Sequence, residues 1–423
     1  IWNICWQGKS MARRQVTIDS VGAQGDGVAE GNVFVPFGLP GEVIEAEIEG
    51  RQAIDPVWLQ CSDLRIEPVC QHFGDCGGCK VQHMSDGFYA AWKTGLVSDA
   101  LAKMEIETEL QPLIRCSPRS RRRTVFSVVV TTKGVEVGYQ RAGSHHVVGI
   151  TQCHVITPNL LACAPMIGEF AKAFLSVGQT ASITVLESQS GFDISAITDK
   201  KISDNERRAI NDFAVGPQIA RICVNGETII EKRRPVLDFS GFKVCPPPGG
   251  FVQAVQSIEQ AMVALVCDHL ASCKRVADIF SGSGTFSLPL AKKSSVIAAE
   301  GETAALTALD RAWRDAAGQG LKPVQIEKRD LHNRPLMAKE LDQMKIQGVV
   351  FDPPRTGAQM QATQLAASKV KRVAAVSCNP TTLARDLRIL IDGGYRLQSI
   401  TPLDQFLWSP HVEAVALLVR GKK

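Results

Sequence analysis

The stretch VAAVSCNPTTLARD carries Cys378 at the end of an apolar run, with Asn379 and Pro380 directly behind it. A cysteine in that position is either a small buried hydrophobe or a nucleophile, and only its thiolate form reacts. Other stretches offer partners for it. VVFDPPRTGA sets Asp352 at the end of an apolar run, stiffened by Pro353 and Pro354, with the planar cation of Arg355 following. FLWSPHVEAVALLV supplies Glu413, with His411 two residues earlier on the same face of an extended segment. In VADIFSGSGTFSLPLA, Asp278 ends a strand, and Gly282 and Gly284 allow a tight turn near a ligand before a helix begins near Phe286.

A glycine turn after a strand serves many nucleotide binders, so its company decides its meaning. The next strand ends in Glu300, 22 residues after Asp278, where a carboxylate can accept the hydroxyl protons of a ribose. Asp330 ends the third strand, within reach of an adenine ring. Gly284 is followed by Thr285 and Phe286, without the third glycine of a dinucleotide fingerprint, which favours S-adenosylmethionine over NAD. If Cys378 reaches the same carboxyl edge, it lies beside a methyl donor. C5 of uracil is a poor nucleophile until a thiolate adds to C6, and the methylated adduct then keeps a C5 proton that a carboxylate such as Glu413 can remove. Arg355 stands where amine methyltransferases carry an aromatic residue, which argues against an exocyclic amine as acceptor.

A second constellation is PVCQHFGDCGGCKVQHM, with Cys70, Cys76 and Cys79. Thiolates this close repel one another unless a metal or cluster neutralises them, and spacing alone leaves structural zinc and an iron-sulfur cluster open. A fourth ligand is required. His72, His83 and His154 are near in sequence and read as flanking residues, while the remaining cysteines of the 13 read mostly as buried small hydrophobes. Arg115, Arg119, Arg121, Arg122 and Arg123 form a basic run before an apolar strand, and EKRRP at 231–235 forms another; each is either a solvated face or a phosphate contact.

The elements that must position these groups follow from patterning. A chain of 423 residues with 45% hydrophobic content suffices for two or three cores. Its net charge of +4 says little about partners. It shows no apolar run of the roughly 18 residues a membrane span needs and no secretory leader, so a cytoplasmic location without a membrane partner is expected. The segment IWNICWQGKS precedes Met11 and is set aside as an upstream extension. Residues 14–66 contain short β-branched runs punctuated by Gly and Pro, as in a small β-barrel; residues 67–245 mix helices and strands; and from Pro246, Pro247 and Pro248 to the end, residues 246–423 alternate strand and helix as in a doubly wound, largely parallel sheet.

FVQ at 251–253, DIFSGSG, DPPRTG, SCNP and HVE, in this order, resemble the motifs of the RNA uracil-5-methyltransferase family. The resemblance implies a multi-domain α/β protein with an N-terminal TRAM-like, OB-like barrel that binds RNA, a central α+β domain with an iron-sulfur cluster, and a C-terminal Rossmann-like class I methyltransferase domain. It implies Cys378 as nucleophile and Glu413 as base, with Gln253, Phe280, Thr285, Glu300, Asp330 and Asp352 around S-adenosylmethionine and the uracil. It also implies a [4Fe-4S] cluster on Cys70, Cys76, Cys79 and the distant Cys153, with Cys163 a competing candidate. A barrel joined to this cysteine pattern is similar to the 23S rRNA enzymes of the RlmD type, whereas tRNA enzymes resemble only the later portion. RNA, as 23S rRNA, is the expected partner, and no obligatory protein partner is apparent. The competing expectations are a tRNA enzyme, a non-catalytic RNA-binding or ribosome-assembly factor, and a cytosine-5 or amine methyltransferase.

Overall fold

The computed structural model describes residues 13–421 apart from 215 and 217, so the segment before Met11 lies outside the described residues. The chain forms two compact units. Among the described residues the first comprises 13–74 with Cys79–Lys93 and Trp408–Pro410. Its centre is a closed five-stranded barrel in the order Arg14–Val21, Gly27–Ala29, Val33–Val35, Gln52–Gln60, Val43–Glu49. Alternate residues point inward, and Val16, Ile18, Val35, Ile44 and Ala46 fill the interior. Burial alone would raise the carboxyl of Glu42, but Arg65, the Leu39 N–H and the Trp58 indole N–H all donate to it and hold it below its ordinary value.

The second unit contains two large sheets. One has seven strands, in the order Glu227–Glu231, Ile219–Val224, Gly191–Ile197, Thr180–Ser188, Arg123–Thr131, Gly134–Gln140, Val147–Gly149. Helix Ala164–Lys172 packs Ile167, Phe170 and Ala171 into the core of this sheet with Phe126, Ile183 and Ile194.

The other sheet positions the chemistry. Its strands are β1 (Arg275–Ile279), β2 (Ser295–Glu300), β3 (Val324–Lys328), β4 (Gly348–Phe351), β5 (Arg372–Ser377), β6 (Tyr395–Asp404) and β7 (Glu413–Arg420). Their order is β3-β2-β1-β4-β5-β7-β6, with Ile114–Arg115 pairing outside β6. β4 is buried throughout, and β1 and β5 are buried beyond their first residue, which explains why they read as unbroken apolar runs rather than alternating ones. Only β7 runs against its neighbours β5 and β6. The carboxyl ends of the parallel strands and the amino end of β7 therefore share one edge.

Among the described residues no helix is long and apolar enough to cross a membrane. At the turn after β1, Gly284 has φ +100° and a Cβ there would lie 2.4 Å from Leu309 Cδ1. Leu309 is fully buried in helix Thr303–Asp315 and has little room to yield. Gly282 also has positive φ, but a Cβ there meets nothing within 4 Å. Gly284→Ala should therefore cost about 2–4 kcal/mol and Gly282→Ala only about 1. Thermal unfolding of the two variants checks this, and equal midpoints would contradict it.

Candidate active site

β5 ends at Ser377, and Asn379 caps helix Pro380–Asp392, its side chain accepting from the Thr381 N–H at 3.1 Å. Pro380 occupies the first turn, where a missing N–H costs nothing. Cys378 is thus held in a one-residue link between a buried strand and a helix N-terminus, and it is half-buried. Antiparallel pairing sets Ser377 opposite Ala414, so the next step of the register sets Cys378 opposite Glu413, the first residue of β7. Glu413 is 2% exposed.

Asp352 follows β4 on the same edge and is half-buried. Gln253 Nε2 donates to Asp352 Oδ2 at 3.0 Å. Gln405 Nε2 donates both to Gln253 Oε1 at 2.9 Å and to Glu413 Oε2 at 2.7 Å. Two carboxylates are thereby joined through two amides. Burial pushes the Asp352 carboxyl up to about 7, against the pull of the Gln253 hydrogen bond. Burial, and then the charge of Asp352, raise Glu413 well above the usual carboxylate range. Burial followed by the charges of Glu413 and Asp352 raises the Cys378 thiol to about 11, with Arg355 pulling the other way.

Arg355 is exposed at the lip, its Nη2 2.9 Å from His411 Nε2, and the ring of His411 meets Phe406 edge-on at 5.8 Å. The Asn379 amide donates to the Arg355 carbonyl at 2.9 Å, tying the DPPR segment to the start of the helix.

The glycine turn lies along the same edge. Phe280, half-buried, takes φ 65° and donates its N–H to Ala299 O at 3.0 Å. Glu300 accepts from the Gly282 N–H on one oxygen at 3.0 Å, and from Gly301 and Glu302 N–H on the other at 2.7 and 2.9 Å. A carboxylate so engaged still has lone pairs for a ligand hydroxyl. Thr285 is half-buried on the turn. The hydroxyls of Ser281 and Ser283 are buried with no partner among the described residues, and orphaned groups at a glycine turn fit a polar nucleoside ligand. Asp278, wholly buried, receives the Ser287 hydroxyl at 2.6 Å, and burial raises its carboxyl to about 7 despite that bond.

Asp330 stands apart from these groups in its surroundings. β3 stops at Lys328, and exposed Asp330 accepts from the His332 and Asn333 N–H groups and the Asn333 side chain, fastening its own turn. Among the described residues no group of three or more His, Cys, Asp or Glu side chains could hold a metal ion, so the geometry lends no support to ligation by Cys70, Cys76, Cys79 and Cys153. All four are half-buried on connecting segments. Cys163 is buried, its thiol raised to about 12 chiefly by burial.

Two features are absent from the sequence reading. Gln405 carries no motif. Arg122, part of the basic run, is 8% exposed; its guanidinium donates to the Gln253 carbonyl at 3.1 Å and to Glu259 at 2.8 Å. It is thus a buried tie holding the backbone of Gln253, neither solvated nor free for phosphate. Only the Glu259 at helical spacing behind FVQ hinted at a partner for it.

A family model described as tRNA (Uracil-5-)-methyltransferase matches residues 220–421. An RNA methyltransferase of Brucella suis biovar 1 is 46% identical over 412 residues, covering 97% of this chain and 98% of the relative. A Pseudomonas fluorescens protein named 23S rRNA (uracil(1939)-C(5))-methyltransferase RlmD is 34% identical, covering 96% and 94%. The crystal structure of Pyrococcus abyssi tRNA (uracil-54, C5)-methyltransferase with S-adenosyl-L-homocysteine superposes with a TM-score of 0.74 at 22% identity, covering 96% of this chain and 99% of that one, and so shares the fold.

A thiol raised to about 11 is protonated throughout the neutral range. Alkylation of the Cys378 peptide by iodoacetamide, followed by mass spectrometry, should still rise about tenfold per pH unit between pH 9 and 10, where an ordinary thiol near 8.5 has levelled off. Glu413→Gln removes a negative neighbour and should move the inflection downward. A plateau by pH 9 in the parent protein would contradict the electrostatics described.

Proposed function

Because the chain belongs to the RNA uracil-5-methyltransferase family, we propose that it methylates uracil C5 in 23S rRNA through a covalent link from Cys378 to C6, using S-adenosylmethionine. The observation that carries this reading is the register that sets a half-buried thiol opposite a buried carboxylate at the carboxyl edge of the sheet. S-adenosylmethionine supplies the methyl group as an electrophilic sulfonium carbon, and the orphaned Ser281 and Ser283 hydroxyls, Glu300, Phe280 and Thr285 are the residues that would hold it. Asp330 is assigned to the far end of that ligand on the sequence resemblance alone.

The target uridine must leave its stack to reach the edge, where Arg355 offers a planar cation to a phosphate. The Cys378 thiol, raised to about 11, is protonated at neutral pH, so its proton has to leave as Sγ bonds to C6. Asp352, titrating near 7, is the acceptor we assign. Neutralising Asp352 removes the charge that raises Glu413, which readies Glu413 as the base. Addition of sulfur sends an electron pair to C5 and O4, and C5 takes the methyl group. Glu413 then removes the C5 proton, the double bond re-forms between C5 and C6, and Cys378 departs with the electrons of the C6–S bond.

The assignment to 23S rRNA is supported by the relative that matches nearly the whole chain, against a tRNA enzyme that shares the fold at lower identity. The N-terminal barrel, with Arg51 over the ring of Phe34, is assigned to RNA binding. Cys70, Cys76, Cys79 and Cys153 are assigned to a [4Fe-4S] cluster on the family resemblance alone, and no step of the methylation runs through it.

Incubation with labelled S-adenosylmethionine and unmodified RNA, followed by nucleoside digestion, should give 5-methyluridine from 23S rRNA fragments and not from tRNA. Cys378→Ala should fall to background. Label in a methylated cytidine or an exocyclic amine would overturn the acceptor, and preference for tRNA would overturn the substrate. Anaerobically purified protein should contain about four iron and four sulfide per chain; stoichiometric zinc without sulfide would replace the cluster by the alternative metal.

A further inference from the structure

Gln405 sits just beyond β6 and is 3% exposed. Its amino group spends one hydrogen on Gln253 Oε1 and the other on Glu413 Oε2. Gln253 is itself fixed from two sides, by Asp352 through its side chain and by Arg122 through its carbonyl. Arg122 is in turn held by the buried Glu259. The amide of Gln405 therefore has its orientation dictated from a rigid support. A flipped amide would turn an oxygen toward Gln253 Oε1, replacing that hydrogen bond by a repulsion.

The result is asymmetric at Glu413. Oε2 is occupied, while Oε1 is buried without a partner among the described residues. Leaving a carboxylate oxygen dry and unbonded costs free energy, so such an atom in a folded core calls for an explanation. Gln405 Oε1 is similarly buried and unpartnered, so no second acceptor or donor from that side chain reaches across to Oε1 of the glutamate.

We propose that Gln405 is a positioning residue for the second half of the reaction: it pins Glu413 through Oε2 so that Oε1 alone faces the C5 proton of the methylated adduct. An amide neither accepts nor gives up a proton in the neutral range, so Gln405 serves this step by placing Glu413 and not by moving a proton itself. In the step it serves, the C5 proton passes to Glu413 Oε1, the C5–H electron pair forms the C5–C6 double bond, and the C6–Sγ pair returns to Cys378 as thiolate. Adduct formation and methyl transfer precede this step and do not use Oε1. Gln405 should therefore affect resolution of the adduct and leave its formation nearly unchanged. This inference rests on the reading of Glu413 as the base.

The test is a single-turnover experiment with natural uridine-containing 23S rRNA fragment and labelled S-adenosylmethionine, quenched over time. Covalent RNA–protein adduct is scored on denaturing gels and free methylated RNA by digestion. Gln405→Leu should form labelled adduct within about threefold of the parent rate but release product at least about a hundredfold more slowly, so that adduct accumulates. Gln405→Met, similar in length, uncharged and lacking both donors, should accumulate adduct in the same way and guards against a packing defect in the leucine variant. Product release at the parent rate in either folded variant, or equal slowing of formation and release, would overturn the proposal. Glu413→Gln is measured alongside: if it forms and releases product normally, the reading of Glu413 as base fails, whatever Gln405 does.

Discussion

The antiparallel pairing of β7 with β5 is the constraint from which the chemistry of this protein follows. In a sheet of parallel strands every carboxyl end lies on one edge, and the residues there come from links into helices. Reversing one strand brings an amino end to the same edge, and here that end is Glu413, one step beyond the last observed pair, Ser377 with Ala414, on the side of Cys378. A slip of one residue would turn the side chain of Glu413 to the other face of the sheet and separate the pair. Register is fixed firmly because β5 and most of β7 are buried, with Val373, Ala375, Ala414, Ala416 and Leu418 in one continuous core.

Burial also sets the electrostatics. A thiol and two carboxyl groups share a poorly hydrated region: burial raises all three, the charge of Asp352 raises Glu413 further, and both carboxylates raise Cys378 further. The amide pair Gln253 and Gln405 makes this tolerable by donating to both carboxylates without adding charge. Arg122 adds a cation at the edge of that network, paired with Glu259 rather than with the reacting groups. Placing the charge one residue removed leaves Asp352 and Glu413 able to exchange protons, where a direct arginine partner would hold them ionised. Burial and the two carboxylates keep the resting thiol protonated in the neutral range.

Much of this was legible in the chain. β1, β4 and β5 appear as apolar runs because strands buried on both faces cannot alternate, and the polar residues directly after β4 and β5, Asp352 and Cys378, mark the functional edge, whereas Asp278 lies inside β1, before Ile279. Glu413 was visible as a carboxylate before an apolar run, but the direction of β7, and hence the meeting with Cys378, is a tertiary fact that no local pattern encodes. Gln405 was invisible because a lone glutamine after a strand has no periodicity, and its role depends on side chains 152 and 8 positions away. Arg122 was misleading, since a run of arginines reads as one surface while a strand start alternates its side chains between core and solvent. Asp330 ended its predicted strand two residues too late, and its turn claims the carboxylate. For the cysteine set, spacing revealed the donors without revealing whether their loops bring them together.

The measurement that bears most directly on the central claim is intact-mass analysis of the protein after incubation with S-adenosylmethionine and a 23S rRNA fragment carrying 5-fluorouridine. Fluorine at C5 does not leave as a proton does, so a thiolate attached at C6 is trapped after methyl transfer. The account predicts a stable protein mass increased by the methylated RNA fragment, absent from Cys378→Ala. Methyl transfer to the unsubstituted fragment with no adduct on the fluorinated one, or an adduct that persists in Cys378→Ala, would contradict it.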